Sequence, residues 1–218
     1  MKYAMIAILS FGFSGVPYAA DAPAAPESEN DKAIYSLGYE LGREVKGNKL
    51  ELNQDVLMQG AKDAMEGNRP LVDARQRQKA LNKIKEQREQ ENQEKAQAYL
   101  AENAKKEGVV TLPSGLQYRV IQAGEGKMPG GADSVTVHYR GSFINGVEFD
   151  SSYQRDKPST FQVKKVIKGW TEALQLMKEG AKWELVIPPE LAYGKNGRGK
   201  RIPPNSALVF EVELLSVK

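Results

Sequence analysis

The chain has no cysteine. That excludes disulfides, so an oxidising compartment would add no covalent support. It also excludes a lipid-modified cysteine at a processed N-terminus. Histidine is nearly absent, with one residue, His138, in 218. It alternates with Val137 and Tyr139 and is expected to point away from the core, as a solvated strand residue rather than a catalyst or ligand. Long hydrophobic runs are missing as well. The apolar stretch at residues 4–9, extended by Phe11 and Phe13, is broken by Gly12 and Gly15 and is too short to span a bilayer. No sign of charge dominates: 31 Lys and Arg face 28 Asp and Glu, a net charge of +3. A bulk nucleic-acid-binding role is therefore not suggested.

What is present begins with an export pattern. Lys2, the short apolar run and the small residues Ala19, Ala20 and Ala22 match a secretory signal over residues 1–20, with cleavage expected after Ala20. The mature protein is then expected in the periplasm, or associated with the outer membrane and cell surface. Residues 21–30, rich in Ala, Pro and Glu, read as a disordered leader.

Three helices are predicted next. Ile34, Leu37, Leu41 and Val45 form one apolar stripe, with Gly38 and Gly42 four residues apart. A glycine pair on one face suggests close approach by another backbone, although two tolerated glycines fit equally well. A second helix starts after the N-cap Asn53 and stops at Gly67. Residues 31–70 bury too little apolar surface to be stable alone, and a second copy of the chain is the simplest partner. The third helix, in the segment 71–108, is predicted to start at a capping box of Asp73 and Gln76 and to run to Glu107, a reach of roughly 50 Å. Residues 85–95 carry no apolar side chain. Such a helix is normally an exposed spacer, laced here by pairs such as Asp73/Arg77, Glu91/Lys95 and Glu102/Lys106.

From Leu112 the period changes to two. Leu116, Tyr118 and Val120 alternate, as do Val135, Val137 and Tyr139, then Trp183, Leu185 and Ile187, then Leu208, Phe210, Val212 and Leu214. Asn145-Gly146 marks a hairpin turn. One helix, residues 170–178, puts Trp170, Leu174 and Met177 on one face. Residues 109–218 therefore predict an α+β domain, an antiparallel sheet wrapped around a short helix.

Within that domain a set of residues recurs in distinctive frames. Tyr139 stands in Val-His-Tyr-Arg-Gly, and Phe149 and Asp150 in Glu-Phe-Asp-Ser. Val166, Ile167 and Trp170 stand in Lys-Val-Ile-Lys-Gly-Trp, Tyr193 in Leu-Ala-Tyr-Gly, and Phe210 in Leu-Val-Phe-Glu-Val-Glu-Leu. Phe161 and Ile202 complete the set. It holds no nucleophile–base pair, no metal-ligand cluster and no phosphate loop. An oily pocket with one acid suits a reaction that breaks no covalent bond, such as rotation about an Xaa-Pro amide.

These frames resemble the FKBP-type peptidyl-prolyl cis–trans isomerases over a whole domain, from about Pro113 to Lys218. The export pattern and helical N-terminal part resemble the Mip (macrophage infectivity potentiator) subgroup. The resemblance implies a prolyl isomerase without cofactor or metal, a homodimer through the N-terminal helices, and chaperone activity on unfolded, proline-containing chains. It also implies macrolides as inhibitors. It assigns Asp150, Tyr193 and Tyr139 as the polar, catalytic members and Trp170 as the pocket floor. Phe149, Phe161, Val166, Ile167, Ile202 and Phe210 become the substrate-binding walls, with the Ile167 N–H holding a substrate carbonyl. One position differs: the family often has histidine where this chain has Arg198, in the basic, glycine-rich loop from Lys195 to Arg201. A non-catalytic chaperone or surface binding module using the same pocket is the competing reading.

Overall fold

The computed structural model describes residues 25–48, 50–199 and 201–218. The expected signal, residues 1–20, lies outside them. The chain divides into two units, residues 1–58 and 59–218.

In the first unit, α1 spans Glu29–Gly47, capped by Ser28, whose Oγ accepts the Asp31 N–H at 3.0 Å. The cap satisfies one of the N–H groups that the first turn leaves without a partner. The predicted stripe is on the surface: Ile34 is 59 % exposed and Leu37 73 % exposed, and α1 buries no residue. A Cβ built on Gly38 or Gly42 would meet nothing within 4 Å. Helix α2, Gln54–Glu66, crosses the boundary between the units. The Asn53 side chain accepts the Val56 N–H at 3.1 Å, as its N-cap role requires, and Gly67 follows the helix at φ +71°.

Helix α3, Ala74–Asn103, begins at the full capping box of Asp73 and Gln76. It ends four residues before Glu107. The Glu91–Lys95 pair forms at 3.7 Å, but Glu102 pairs with Lys105, and Lys106 instead lies over the Tyr99 ring. Arg77 donates to the Val72 carbonyl rather than pairing with Asp73. The first turns are exposed, as a polar helix should be. The last turns dock on the sheet domain. Ala96 is buried, and Asn103 Nδ2 donates to Gln117 Oε1 at 2.9 Å while Gln117 Nε2 donates to the Leu100 carbonyl at 2.9 Å. Further up, Asn92 donates to the Pro204 carbonyl and Asn205 donates to the Glu89 carbonyl. Amides make this contact, so a search for apolar periodicity misses it. It also explains why Gln117, which falls between the alternating Leu116 and Tyr118, is buried; Val120, the last residue of that predicted alternation, is 46 % exposed.

Seven strands form one antiparallel sheet: β1 Val109–Thr111, β2 Gln117–Gln122, β3 Ser134–Phe143, β4 Glu148–Ser151, β5 Ser159–Gln162, β6 Lys182–Ile187 and β7 Leu208–Val217. Their order is β1-β2-β6-β7-β3-β4, with β5 also on β3. Strands β4 and β5 pair with successive stretches of β3. The Asn145-Gly146 turn forms as predicted, Gly146 at φ +83°. In β7 the alternation holds, with Leu208, Phe210, Val212 and Leu214 buried and Glu211 and Glu213 turned outward.

Helix α4, Lys168–Leu174, packs against the sheet. It stops before the predicted Lys178, and Met177 reaches the core from the turn that follows. Trp170, Leu174 and Met177 are all buried, each stabilising the domain by about 1.5–3 kcal/mol. Gly169 lets α4 come this close, because a Cβ there would lie 2.5 Å from the Ile187 side chain.

Candidate functional site

One cavity of about 460 Å³ is bordered by all ten residues singled out in the sequence. They come from β3 (Tyr139), β4 (Phe149, Asp150), β5 (Phe161), the segment leading into α4 (Val166, Ile167), α4 (Trp170), the loop before β7 (Tyr193, Ile202) and β7 (Phe210). Trp170, 4 % exposed, anchors the group. Its ring meets Tyr139, Phe161 and Phe210 edge-to-face at centroid distances of 5.3, 5.8 and 5.4 Å. Edge-to-face pairs set a ring's positive rim against a negative face and hold the walls in fixed orientations. Phe149 crosses Phe210 at 88°. Gly141, which closes the Val-His-Tyr-Arg-Gly frame, is required beneath them: a Cβ there would lie 2.6 Å from Phe210 and 2.9 Å from Phe149.

The polar side is a closed triangle. Tyr139 Oη donates to Asp150 Oδ2 at 2.8 Å, Arg155 Nη1 donates to Asp150 Oδ1 at 2.8 Å, and Arg155 Nη2 donates to Tyr139 Oη at 2.9 Å. Burial by itself would raise the Asp150 pKa, but the bonds from Arg155 and Tyr139 outweigh it and hold the carboxyl below its ordinary value. Burial, reinforced by the bond to Asp150, raises that of Tyr139. The site therefore offers a carboxylate whose charge is already matched, not a proton donor.

Sequence reasoning missed Arg155. Its signal was available, a cation five residues after the single pocket acid, but nothing in the spacing says which cation turns inward. The short 3-10 turn Tyr153–Arg155, closed by Asp156 at φ +47°, places it. A lowered carboxyl pKa contributes stability above the unfolded value and loses it as pH falls through the folded one. Arg155→Gln removes the foremost lowering contact and leaves burial. The acid limb of the pH profile of kcat/KM is expected to move towards neutral pH. An unmoved limb would show that Arg155 does not set the ionisation of Asp150.

Two further groups face the cavity. Arg198 Nη1 donates to Tyr193 Oη at 2.8 Å and lies over the same ring, which leaves the tyrosine proton free for a ligand. Ile167 is the N-cap of α4, and among the described residues no backbone carbonyl accepts its N–H. His138 stays out of the cavity, as expected, but is half-buried rather than solvated. It bonds Ser152 Oγ at 3.0 Å and stacks on Tyr153. Trp183 is plain core, stacked on Tyr118.

The chain is similar to known proteins along its length. Residues 125–215 match the family model of the FKBP-type peptidyl-prolyl cis-trans isomerase, and residues 30–120 match the domain amino terminal to it. The outer membrane protein MIP of Legionella longbeachae is 42 % identical over 100 % of this chain and 98 % of its own length. The chain belongs to the FKBP-type peptidyl-prolyl cis–trans isomerases. Within them this isomerase is Mip- and FkpA-like. The 22 kDa FKBP-type isomerase of Escherichia coli is 48 % identical over 85 % of the chain and 94 % of its own length. The crystal structure of FkpA from Escherichia coli, 40 % identical, superposes with a TM-score of 0.64, covering 89 % of this chain and 99 % of that one. Among the described residues of the isomerase no cluster of metal-binding side chains occurs, and no helix is long and apolar enough to cross a membrane.

Proposed function

We propose that the isomerase acts outside the cytoplasm as a dimer, turning Xaa-Pro bonds in folding proteins by non-covalent stabilisation of the twisted amide. The cavity walled edge-to-face around Trp170 carries this reading. Resonance holds the amide planar behind a barrier of about 18–20 kcal/mol. Twisting breaks that resonance, and the amide becomes less polar. A dry aromatic site favours the twisted form over the dipolar planar one. Donors aimed at the rotated carbonyl add to this, and each ~1.4 kcal/mol is tenfold in rate. The Ile167 N–H and Tyr193 hydroxyl are the donors. Asp150, fixed by Tyr139 and Arg155, polarises the cavity beside them. Trp170 forms the floor, and Phe149, Phe161, Val166, Ile202 and Phe210 close on the proline. Macrolides are expected to compete with substrate for the same apolar walls.

Three observations favour export and dimerisation. Residues 1–20 carry the pattern of a secretory signal. A relative of nearly equal length is named an outer membrane protein. The apolar stripe of α1 is exposed, and the space over Gly38 and Gly42 is open to another backbone. Residues 31–70 would then be the dimerisation segment, and residues 71–108 would connect it to the isomerase domain.

The direct test is refolding of a client protein whose slow phase is Xaa-Pro rotation, a process of tens of seconds or more when uncatalysed. The purified full-length chain is expected to remove that phase at substoichiometric amounts. A folded protein that leaves it untouched would overturn the reading.

A further inference from the structure

Three cations line the mouth of the isomerase cavity: Lys165, Arg198 and Arg201. The one acid on the same lining, Asp150, is already satisfied by Arg155 and Tyr139. Among the described residues, none of the three cations takes part in an ion pair. The lining thus presents uncompensated positive charge around an apolar interior.

Backbone hydrogen bonds fix the turn that carries two of these residues. The Arg198 N–H donates to the Ile202 carbonyl at 2.8 Å, the Ile202 N–H returns to the Arg198 carbonyl at 3.2 Å, and the Arg201 N–H also donates to the Arg198 carbonyl at 3.2 Å. Gly197, at φ +62°, makes the tight return possible, since a Cβ there would meet the carbonyl of Ile202. Ile202 itself is buried in the cavity wall. Arg198 is further steadied by the face and hydroxyl of Tyr193, one bond out of the five that a guanidinium can donate. Lys165 comes from a separate element, the 3-10 turn Val163–Lys165. Charges on a fixed frame around a concave, low-dielectric site focus their field on what enters it.

We propose that this mouth selects acidic proline segments: Lys165 and Arg201, with Arg198, favour substrates carrying Asp or Glu next to the proline. The proposal rests on the isomerase activity of the same cavity and adds a substrate class to it. The apolar floor takes the ring of the proline, and the cations take the flanking carboxylate while it remains partly solvated. Recognition of this kind is long-range and sensitive to salt.

The test is a peptide series identical except for Glu, Gln or Lys beside the proline, assayed with the full-length protein at low and high ionic strength. At low salt kcat/KM is expected to fall in the order Glu, Gln, Lys, with about tenfold between the ends, a few-fold for each exposed charge pair. The ratio should shrink towards one at high salt. It should also shrink in the Lys165→Gln/Arg201→Gln variant and invert in Lys165→Glu/Arg201→Glu. Because each ratio is taken within one protein, partial loss of fold or activity does not imitate the effect. A Glu/Lys ratio near one in the native protein, or one unaltered by salt and by both variants, overturns the preference. Turnover of the Gln peptide reports isomerisation by itself, so a flat ratio with that peptide still turned over sinks only the preference for acid.

Discussion

Asp150→Leu is expected to lower kcat/KM for Xaa-Pro rotation by about ten- to a hundredfold while the domain stays folded. The side chain accepts two charge-assisted or neutral bonds at 2.8 Å, from Arg155 and Tyr139, on the border of the cavity. Hydrogen bonds to charged groups contribute about 1.5–3 kcal/mol, and each ~1.4 kcal/mol in the transition state is a factor of ten. Leucine fills similar space but orders neither partner. Stability should fall only modestly, because Arg155 is exposed and can hydrate when its carboxylate is gone, although the contribution of the ionised Asp150 is lost. Asp150→Asn separates charge from shape: it keeps an acceptor for Tyr139 and loses the negative field. If Asp150→Leu keeps its fold by circular dichroism and isomerises a short peptide at the native rate, Asp150 is only a turn-stabilising acid.

Removal of residues 31–70 should convert a dimer into a monomer, read by sedimentation or light scattering. Activity on short peptides is expected to remain, because every residue that borders the cavity lies at or beyond Tyr139. Activity on unfolded proteins should fall by about ten- to a hundredfold. Two pockets in one dimer would turn the second encounter with a client into an intramolecular event, raising avidity without any new contact. The segment removed buries no helical residue in the isolated chain and exposes Leu37 at 73 % and Met65 at 88 %. Apolar side chains at that exposure in successive helices are what a second copy would cover. A truncated chain that stays dimeric places the interface elsewhere.

The lesson of the sheet domain is that period and frame carry far, and polarity does not. The alternation in β3, β6 and β7 announces which residues turn inward, since a strand has only two faces. The Asn-Gly turn, the Asn53 N-cap and the capping box of Asp73 and Gln76 are legible because their chemistry is local. Helix α3 shows the limit. Its polar sequence predicts exposure, and its first turns obey. Its last turns dock through Asn92, Asn103, Gln117 and Asn205, amides that look the same in a sequence whether they meet water or another backbone. Helix α4 also ends sooner than its apolar spacing suggests, because Met177 can reach the core from a turn as well as from a helix.

The sequence by itself determined the class of the domain and the apolar stripe of α1, because each depends on side-chain type at a short, regular spacing. The ten pocket residues were legible in another way, through frames that resemble those of a known family. Only the tertiary structure decided what surrounds them. It recruited Arg155 to Asp150, stacked a half-buried His138 on Tyr153, and set Lys165, Arg198 and Arg201 on the lining of one cavity. Charges and amides act through distance in space. Residues from β3, β4 and the turn after β4 become neighbours only when the sheet has closed around α4, and no local pattern along the chain encodes which of many cations arrives there.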